Sequence, residues 1–297
     1  MWFKNLNVYQ FTEDFTLTGE ALEEALRQNG AFIPCGPQDM SRYGFVSALG
    51  HRTEALVHQN NACMLIRARK EEKILPNEVI NEKLAEKIEQ IEQNEDRQVF
   101  AKEKKCIKED IVMELLPQAF TRSKYTHAYI DLVRNLLIVN GSAKQAEELT
   151  SKLREALGSL PVLPPQTKTF PATCMSDWLK TQELPRPLLL GDQCELREPG
   201  EEGAHLKAKQ FDLINGSIEP HLKDGMLVCS LLLTWQDSLT FTLNENLRLT
   251  GMTMTDVLLA ERDETETDTK LEALDADFAL MTGTFRKFLP QLFSYMN

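Results

Sequence analysis

The side chains able to do chemistry are few and scattered along the 297 residues. Asp275 and Asp277, in D-A-D-F, resemble a carboxylate pair. Two positions apart on a helix, however, they point away from each other, so a solvated acidic face is the expectation. Cys35, in P-C-G-P, is a candidate nucleophile, but its loop supplies no base, and a buried structural cysteine is expected there. His51 and His58 are seven apart and could share a helix face, yet no acid-rich motif stands nearby and no metal site is expected. The six cysteines form no CxxC pair and are read as reduced thiols. No phosphate-cradling glycine motif, zinc-protease motif or nucleophile elbow occurs. A hydrolase working through Asp275, Asp277 or Cys35 is the weakest reading; no catalytic residue, metal or cofactor is expected.

Cations offer more. Arg67, Arg69, Lys70 and Lys73 cluster in R-A-R-K-E-E-K-I-L-P, where a strand-like run meets a helical one. One reading is a surface salt-bridged through Glu71 and Glu72. The other is contact with a phosphate backbone, which needs charge and not sequence readout. The basic run from Arg97 to Lys108 could extend such a surface. The net charge of −12 argues against a protein that coats nucleic acid. Charge is segregated, though: acids dominate from Asp256 to Asp277, including Glu264 and Glu266, and an acidic whole can carry a basic surface.

These residues have to be held by α+β architecture. Strand patterns fall at Trp2–Phe11, Tyr43–Leu49, Ala62–Ala68, Ala128–Leu132 and Leu136–Val139, with a helix capped by Thr18 and another opened by a Ser142–Gln145 capping box and running to Leu157. Between them, Pro76 opens a narrow apolar stripe, Ile80, Leu84, Ile88 and Ile91, and a second stripe follows Asn94-Glu95-Asp96. Stripes this narrow predict a helical hairpin that packs mainly on itself and projects from the body; one face of a larger bundle is the alternative. The proline-rich stretch Leu160–Pro171 reads as a connector. Beyond it come strands at Leu188–Leu190, His205–Lys209, Met226–Trp235 and Leu239–Leu243, then helix from Thr255 onward, broken near Gly283 and Pro290. The expected division is a central α/β domain over 1–75 and 117–165, a hairpin tip over 76–116 and an α/β base domain over 166–297. No apolar run is long enough to span a membrane, and Met1-Trp2-Phe3-Lys4 leads straight into strand-like sequence, so neither a membrane span nor a signal peptide is expected.

Several motifs, in order along nearly the whole chain, resemble the bacterial recombination-associated RdgC family. They are W-F-K-N-L at Trp2–Leu6, C-G-P-Q-D-M at Cys35–Met40, R-K-E-E-K-I-L-P at Arg69–Pro76, L-L-P-Q-A-F at Leu115–Phe120, L-G-S-L-P-V at Leu157–Val162 and D-A-D-F-A-L-M-T-G at Asp275–Gly283. The resemblance implies a curved mixed α/β body with a projecting helical tip and a broader base, assembled as a ring-shaped homodimer around a basic hole. It implies a non-catalytic protein of the cytoplasm and nucleoid that binds duplex DNA with little sequence preference and limits the access of RecA, restraining recombination. Single-stranded DNA is a second candidate ligand.

By the same resemblance Phe120 falls at the contact that closes the ring, and Arg97 on a basic position of the tip. A Lys-rich K-K-Q-D-L segment of the base is matched imperfectly by K-Q-F-D-L at Lys209–Leu213, where Gln210 replaces a cation and Phe211 a glutamine. Arg69, Lys70, Lys73, Arg97, Arg122, Lys209 and Gln210 are the expected DNA contacts, and Phe120 the expected dimer contact. The alternative is a protein-interaction module that inhibits the recombinase directly, with DNA incidental.

Overall fold

The computed structural model describes residues 2–200, 203–214, 218–263 and 267–297; Met1, Glu264 and Glu266 of the readings above lie outside them. In chain order the first elements are β1 (Leu6–Phe11), α1 (Gly19–Asn29), β2 (Ser41–Val46), β3 (Val57–Asn60), β4 (Cys63–Lys73), α2 (Asn77–Glu95), α3 (Ala101–Leu115), β5 (Thr121–Asp131), β6 (Leu136–Asn140) and α4 (Ala143–Leu157). There follow β7 (Val162–Leu163), α5 (Pro171–Thr181), β8 (Leu188–Arg197), β9 (His205–Ala208), α6 (Glu219–Lys223), β10 (Leu227–Trp235), β11 (Leu239–Asn244), β12 (Leu249–Met254), α7 (Asp256–Asp263) and α8 (Lys270–Ser294). The strands form one antiparallel sheet in the order β2-β4-β5-β6-β1-β12-β11-β10-β8-β9, with β3 beside β4 and β7 beside β1.

Strand alternation sorts the core. On β4, β5 and β6, Met64, Ile66, Ala68, Ala128, Ile130, Leu137 and Val139 point to α1 and α4, and pack with Leu22, Leu26, Leu149 and Leu153. Their neighbours Cys63, Leu65, Tyr129, Leu136 and Ile138 point the other way, into a cluster built on α5 and α8. Because both faces are covered, β6 reads L-L-I-V-N without alternation. In the second half of the sheet Leu233, Trp235, Leu239, Phe241 and Leu243 join that same cluster. Thr234, Thr240, Thr242 and Asn244 face the other side, half-buried.

The halves join narrowly. Leu6 of β1 sits opposite Leu249 of β12, and the Met252 N–H donates to the Lys4 carbonyl at 2.9 Å. Helix α8 straps the junction. Phe278 meets Tyr129 edge-on, and Phe288 meets Phe241 and Trp235 across the seam. Arg286 donates from Nε and Nη2 to Asp131 at 2.9 and 3.0 Å, and from Nη2 to the Asn61 carbonyl at 2.8 Å. The buried Asp131 also accepts from the Val133 and Arg134 N–H groups, fixing the β5–β6 turn.

Several sequence expectations need correction. Helix α8 runs unbroken through Gly283 and Pro290, because Phe288, Leu289 and Leu292 are buried on either side of the proline. Its N-terminus is set by a Thr269–Glu272 capping box. Cys35 is half-exposed, not buried; its N–H donates to Glu71, and desolvation and that carboxylate raise its thiol pKa. His51 and His58 share no helix: His51 lies in a single 3-10 turn and His58 in β3. Asp275 is not simply solvated, since its Oδ1 lies 2.6 Å from His58 Nε2. The connector contains β7 and leads into α5, and β12 was not anticipated.

Two measurements follow from this packing. Arg286→Met leaves the Asp131 carboxylate buried without its cation, and should cost about 3 kcal/mol in urea unfolding. His127 is held neutral: burial, and secondly the Arg67 charge, lower its pKa from 6.5 to about 4. A histidine depressed in the fold favours unfolding when protonated. The stability it supports is therefore complete above pH 6.5, falls as pH drops toward 4, and levels below that, a loss of about 3 kcal/mol. His127→Phe should remove that part of the pH slope in denaturation midpoints.

Candidate nucleic-acid interface

The junction cations sit on β4 and β5 where the two strands run beyond the helix-covered core. Residues directly opposite share a face: Lys70 with Lys124, Glu72 with Arg122, Arg69 with Tyr125, and Lys73 with Thr121. Successive residues alternate, so the run in R-K-E-E-K is divided between the two faces. Lys70, Glu72, Arg122 and Lys124 lie on the α4 side; Arg69, Glu71 and Lys73 lie on the other.

On the α4 side Glu72 is the hub. It accepts from Lys70, Arg122 and Lys124, each at 3.3 Å. Although burial opposes it, these hydrogen bonds hold the Glu72 carboxyl below its ordinary range. Lys70 also reaches Glu148 of α4 at 2.6 Å, which raises the lysine pKa. A cleft opens here, lined by Lys70, Lys124, Ser142, Lys144 and Gln145, against Glu72 and Glu148. Ser142 caps α4, so the positive end of that helix faces the cleft. Lys144 was not anticipated; its place in the first turn after the capping box was the available signal.

On the opposite face Arg69 is bound to the buried Glu71 at 2.5 Å, donates to Ser123 at 3.0 Å, and lies 4.5 Å from the Phe32 ring centroid. Lys73 donates to the Leu116 carbonyl at 3.0 Å, tying β4 to the end of α3. Arg69, Lys70 and Arg122 are thus ion-paired, as the salt-bridged reading expects, while remaining at the surface.

Helices α2 and α3 run antiparallel, with Lys87 on Glu114 at 3.0 Å and Lys108 on Asn81 at 3.3 Å. Their buried side chains are only Ile80 and Ile111. Arg97 lies between them, about 28 Å along α2 from Pro76. It is clamped by Glu103 at 2.7 Å and Glu95 at 2.5 Å, and both raise its pKa, Glu103 more strongly. Lys209 and Gln210 follow β9, at the far edge of the sheet from β2; Lys209 lines a polar cleft with Lys207, Ser230, Thr242 and Thr250. The Gln210 φ of 51° turns the chain toward Phe211, whose N–H donates to the Asp192 carbonyl. The seven predicted contacts therefore do not converge on a pocket. Lys70 and Arg122 come together; Arg69 and Lys73 lie behind them; Arg97, Lys209 and Gln210 stand well apart.

Phe120 is 84% exposed. Its carbonyl accepts from the Ile74 N–H at 2.8 Å, so the backbone is fixed while the ring stands in solvent beside exposed Ile74. Phe120→Ser should leave the subunit's unfolding free energy within about 0.5 kcal/mol, against ~3–5 kcal/mol for a buried phenylalanine, as read by urea denaturation.

Among the described residues no group of three or more His, Cys, Asp or Glu could hold a metal ion, and no helix is long and apolar enough to cross a membrane. The chain matches the family model described as "Putative exonuclease, RdgC" over residues 1–297. It is 43% identical over 298 residues to the recombination-associated protein RdgC of Aeromonas hydrophila, covering 100% of this chain and 98% of that protein. The Pseudomonas aeruginosa protein of that name is 43% identical over 299 residues, covering 100% and 97%. That of Tolumonas auensis is 40% identical over 293 residues, covering 98% and 97%. With a match end to end in both the model and the relatives, this chain belongs to the RdgC family.

Proposed function

We propose that the protein is a non-catalytic, largely sequence-independent binder of duplex DNA, acting as a ring-shaped homodimer that limits RecA's access to DNA and so restrains recombination. The observation that carries the reading is Phe120, an exposed apolar ring at the foot of the α2–α3 pair, set beside Arg122 and Lys124. An aromatic standing in solvent among cations suits contact with another macromolecule, and enclosed small-molecule sites are built differently. The spread of cations from Arg97 through Lys70, Arg122 and Lys144 to Lys209 suits an extended anionic ligand. In this reading α2 and α3 are the projecting tip of 76–116, the central domain is 1–75 with 117–165, and 166–297 is the base. Phe120 closes the ring, and the protein works in the cytoplasm at the nucleoid. The relatives' names carry the association with recombination.

The salt bridges that hold Lys70, Arg122 and Arg97 temper local attraction to phosphate. Binding then requires phosphates to compete with Glu72, Glu148, Glu95 and Glu103, which favours modest, strongly salt-dependent affinity. A second reading is direct inhibition of the recombinase by a protein-interaction module, using the acidic stretch around α7 and the hairpin. A third follows the exonuclease in the family model's description.

The deciding experiment is mass in solution with and without duplex DNA across a salt series. The expected result is a dimer whose log affinity falls linearly with log salt, by about 0.9 per phosphate neutralised. Phe120→Ser should shift the dimer toward monomer and shorten DNA retention. A monomer that ignores DNA but binds the recombinase would install the second reading, and shortening of end-labelled DNA with added Mg²⁺ the third.

A further inference from the structure

The face of β4 and β5 turned away from α4 carries a cleft beside Arg69. The loop between β2 and β3 folds against this face, and the cleft between them is lined by Ser47, His51, Glu54, Arg67, Arg69 and Tyr125. The Arg67 guanidinium lies 3.9 Å from the Tyr125 ring centroid. Gly50, at φ 75°, lets the loop approach closely: a Cβ there would stand 3.0 Å from Arg67 Nη1 in a backbone conformation that strains side chains.

Arg67 differs from the other junction cations. Lys70 has Glu148, Arg69 has Glu71 and Arg97 has Glu103. Among the described residues Arg67 makes no ion pair, and its Nε is buried with no hydrogen-bond partner. Burial weakens its hold on the proton, Tyr125 partly offsets this, and the Arg69 charge adds to the weakening. A half-buried guanidinium with an unpaired donor is costly unless an anion supplies the missing acceptor. Beside it, Tyr125 is 39% exposed and offers a π surface. Ser47 and Thr53 hold each other by their hydroxyls at 3.0 Å, and Glu54 provides an acceptor at the cleft.

An anion alone would pair with Arg67 and leave Glu54 and the exposed part of the Tyr125 ring, beyond its contact with Arg67, unused. An anion joined to a flat unsaturated ring with N–H donors uses all three. In a duplex the base faces are stacked and the edges paired, so only an unpaired nucleotide can present them. We propose that this cleft binds a single unpaired nucleotide of DNA, its phosphate on Arg67, its base against Tyr125 and its edge toward Glu54. The inference rests on the DNA-binding reading and extends it: the protein distinguishes strand openings and single-stranded segments from continuous duplex.

The test is fluorescence anisotropy with a labelled oligothymidylate and a duplex of equal length at one fixed salt concentration. Arg67→Gln and Tyr125→Leu should each weaken oligothymidylate binding about tenfold, and weaken it more than duplex binding. Tyr125→Phe should retain wild-type single-strand affinity. Thymidine monophosphate should compete for the site, and inorganic phosphate should compete far less. Ultraviolet cross-linking of wild-type protein to the oligothymidylate should map to the peptide containing Tyr125, a readout that does not depend on a variant folding. Variants with wild-type melting that bind oligothymidylate as wild type does, or cross-links confined to other peptides, overturn the inference and leave the duplex reading standing. Equal competition by phosphate reduces the cleft to an anion site and overturns the nucleotide assignment. A wild-type protein that binds neither DNA overturns both readings.

Discussion

The grip of α8 on the sheet is the constraint on which the rest depends. The two halves of the sheet meet through little more than Leu6 opposite Leu249, a junction too slight to fix their relation alone. Helix α8 supplies what the strands lack: Phe278 on Tyr129 at one side, Phe288 on Phe241 and Trp235 at the other. Dispersion and burial provide the attraction, and Arg286 on Asp131 provides the register. Asp131 binds the helix cation and the turn amides together, so the helix position, the β5–β6 turn and the end of β4 near Asn61 are set as one unit.

That unit frees the outer stretch of β4 and β5 for surface work. Inside the helix-covered region both faces of these strands carry apolar residues. Beyond it the same alternation delivers Lys70, Arg122 and Lys124 to one side and Arg67, Arg69 and Tyr125 to the other. Cations and carboxylates are interleaved there, and Glu72 collects three of them. The result is a polar surface whose cations meet its own carboxylates, and in the proposed DNA-binding reading phosphates exchange for those partners. Such exchange costs little at exposed pairs, where each bond is worth ~0–1 kcal/mol.

The α2–α3 pair obeys different physics. With Ile80 and Ile111 buried and most of the remaining stripe half-exposed, its stability comes from a thin seam and surface pairs such as Lys87–Glu114. Lys73 on the Leu116 carbonyl and Ile74 on the Phe120 carbonyl anchor it at the foot. These anchors also fix the backbone from which the Phe120 ring is presented. A fixed backbone carrying an exposed ring suits the contact proposed for Phe120.

The sequence by itself determined the local features. The Thr18 cap, the Ser142–Gln145 box, the helix opening at Pro76 and the approximate places of β1, β2, β4 and β6 stand in the structure much as spacing predicts, because each is decided within a few residues. Tertiary structure decided what depends on distant partners. Gly283 and Pro290 read as helix breaks, yet burial of Phe288, Leu289 and Leu292 outweighs the lost bond. The threonine-rich β12 acquires strand character from β11, and α5 begins at a proline that reads as connector. The division of Arg69, Lys70 and Lys73 between two faces was implicit in their alternation. Which carboxylate each cation meets, and that Arg67 meets none among the described residues, followed only from register and from the loop laid over Gly50, since pairing is set by neighbours far away in the chain.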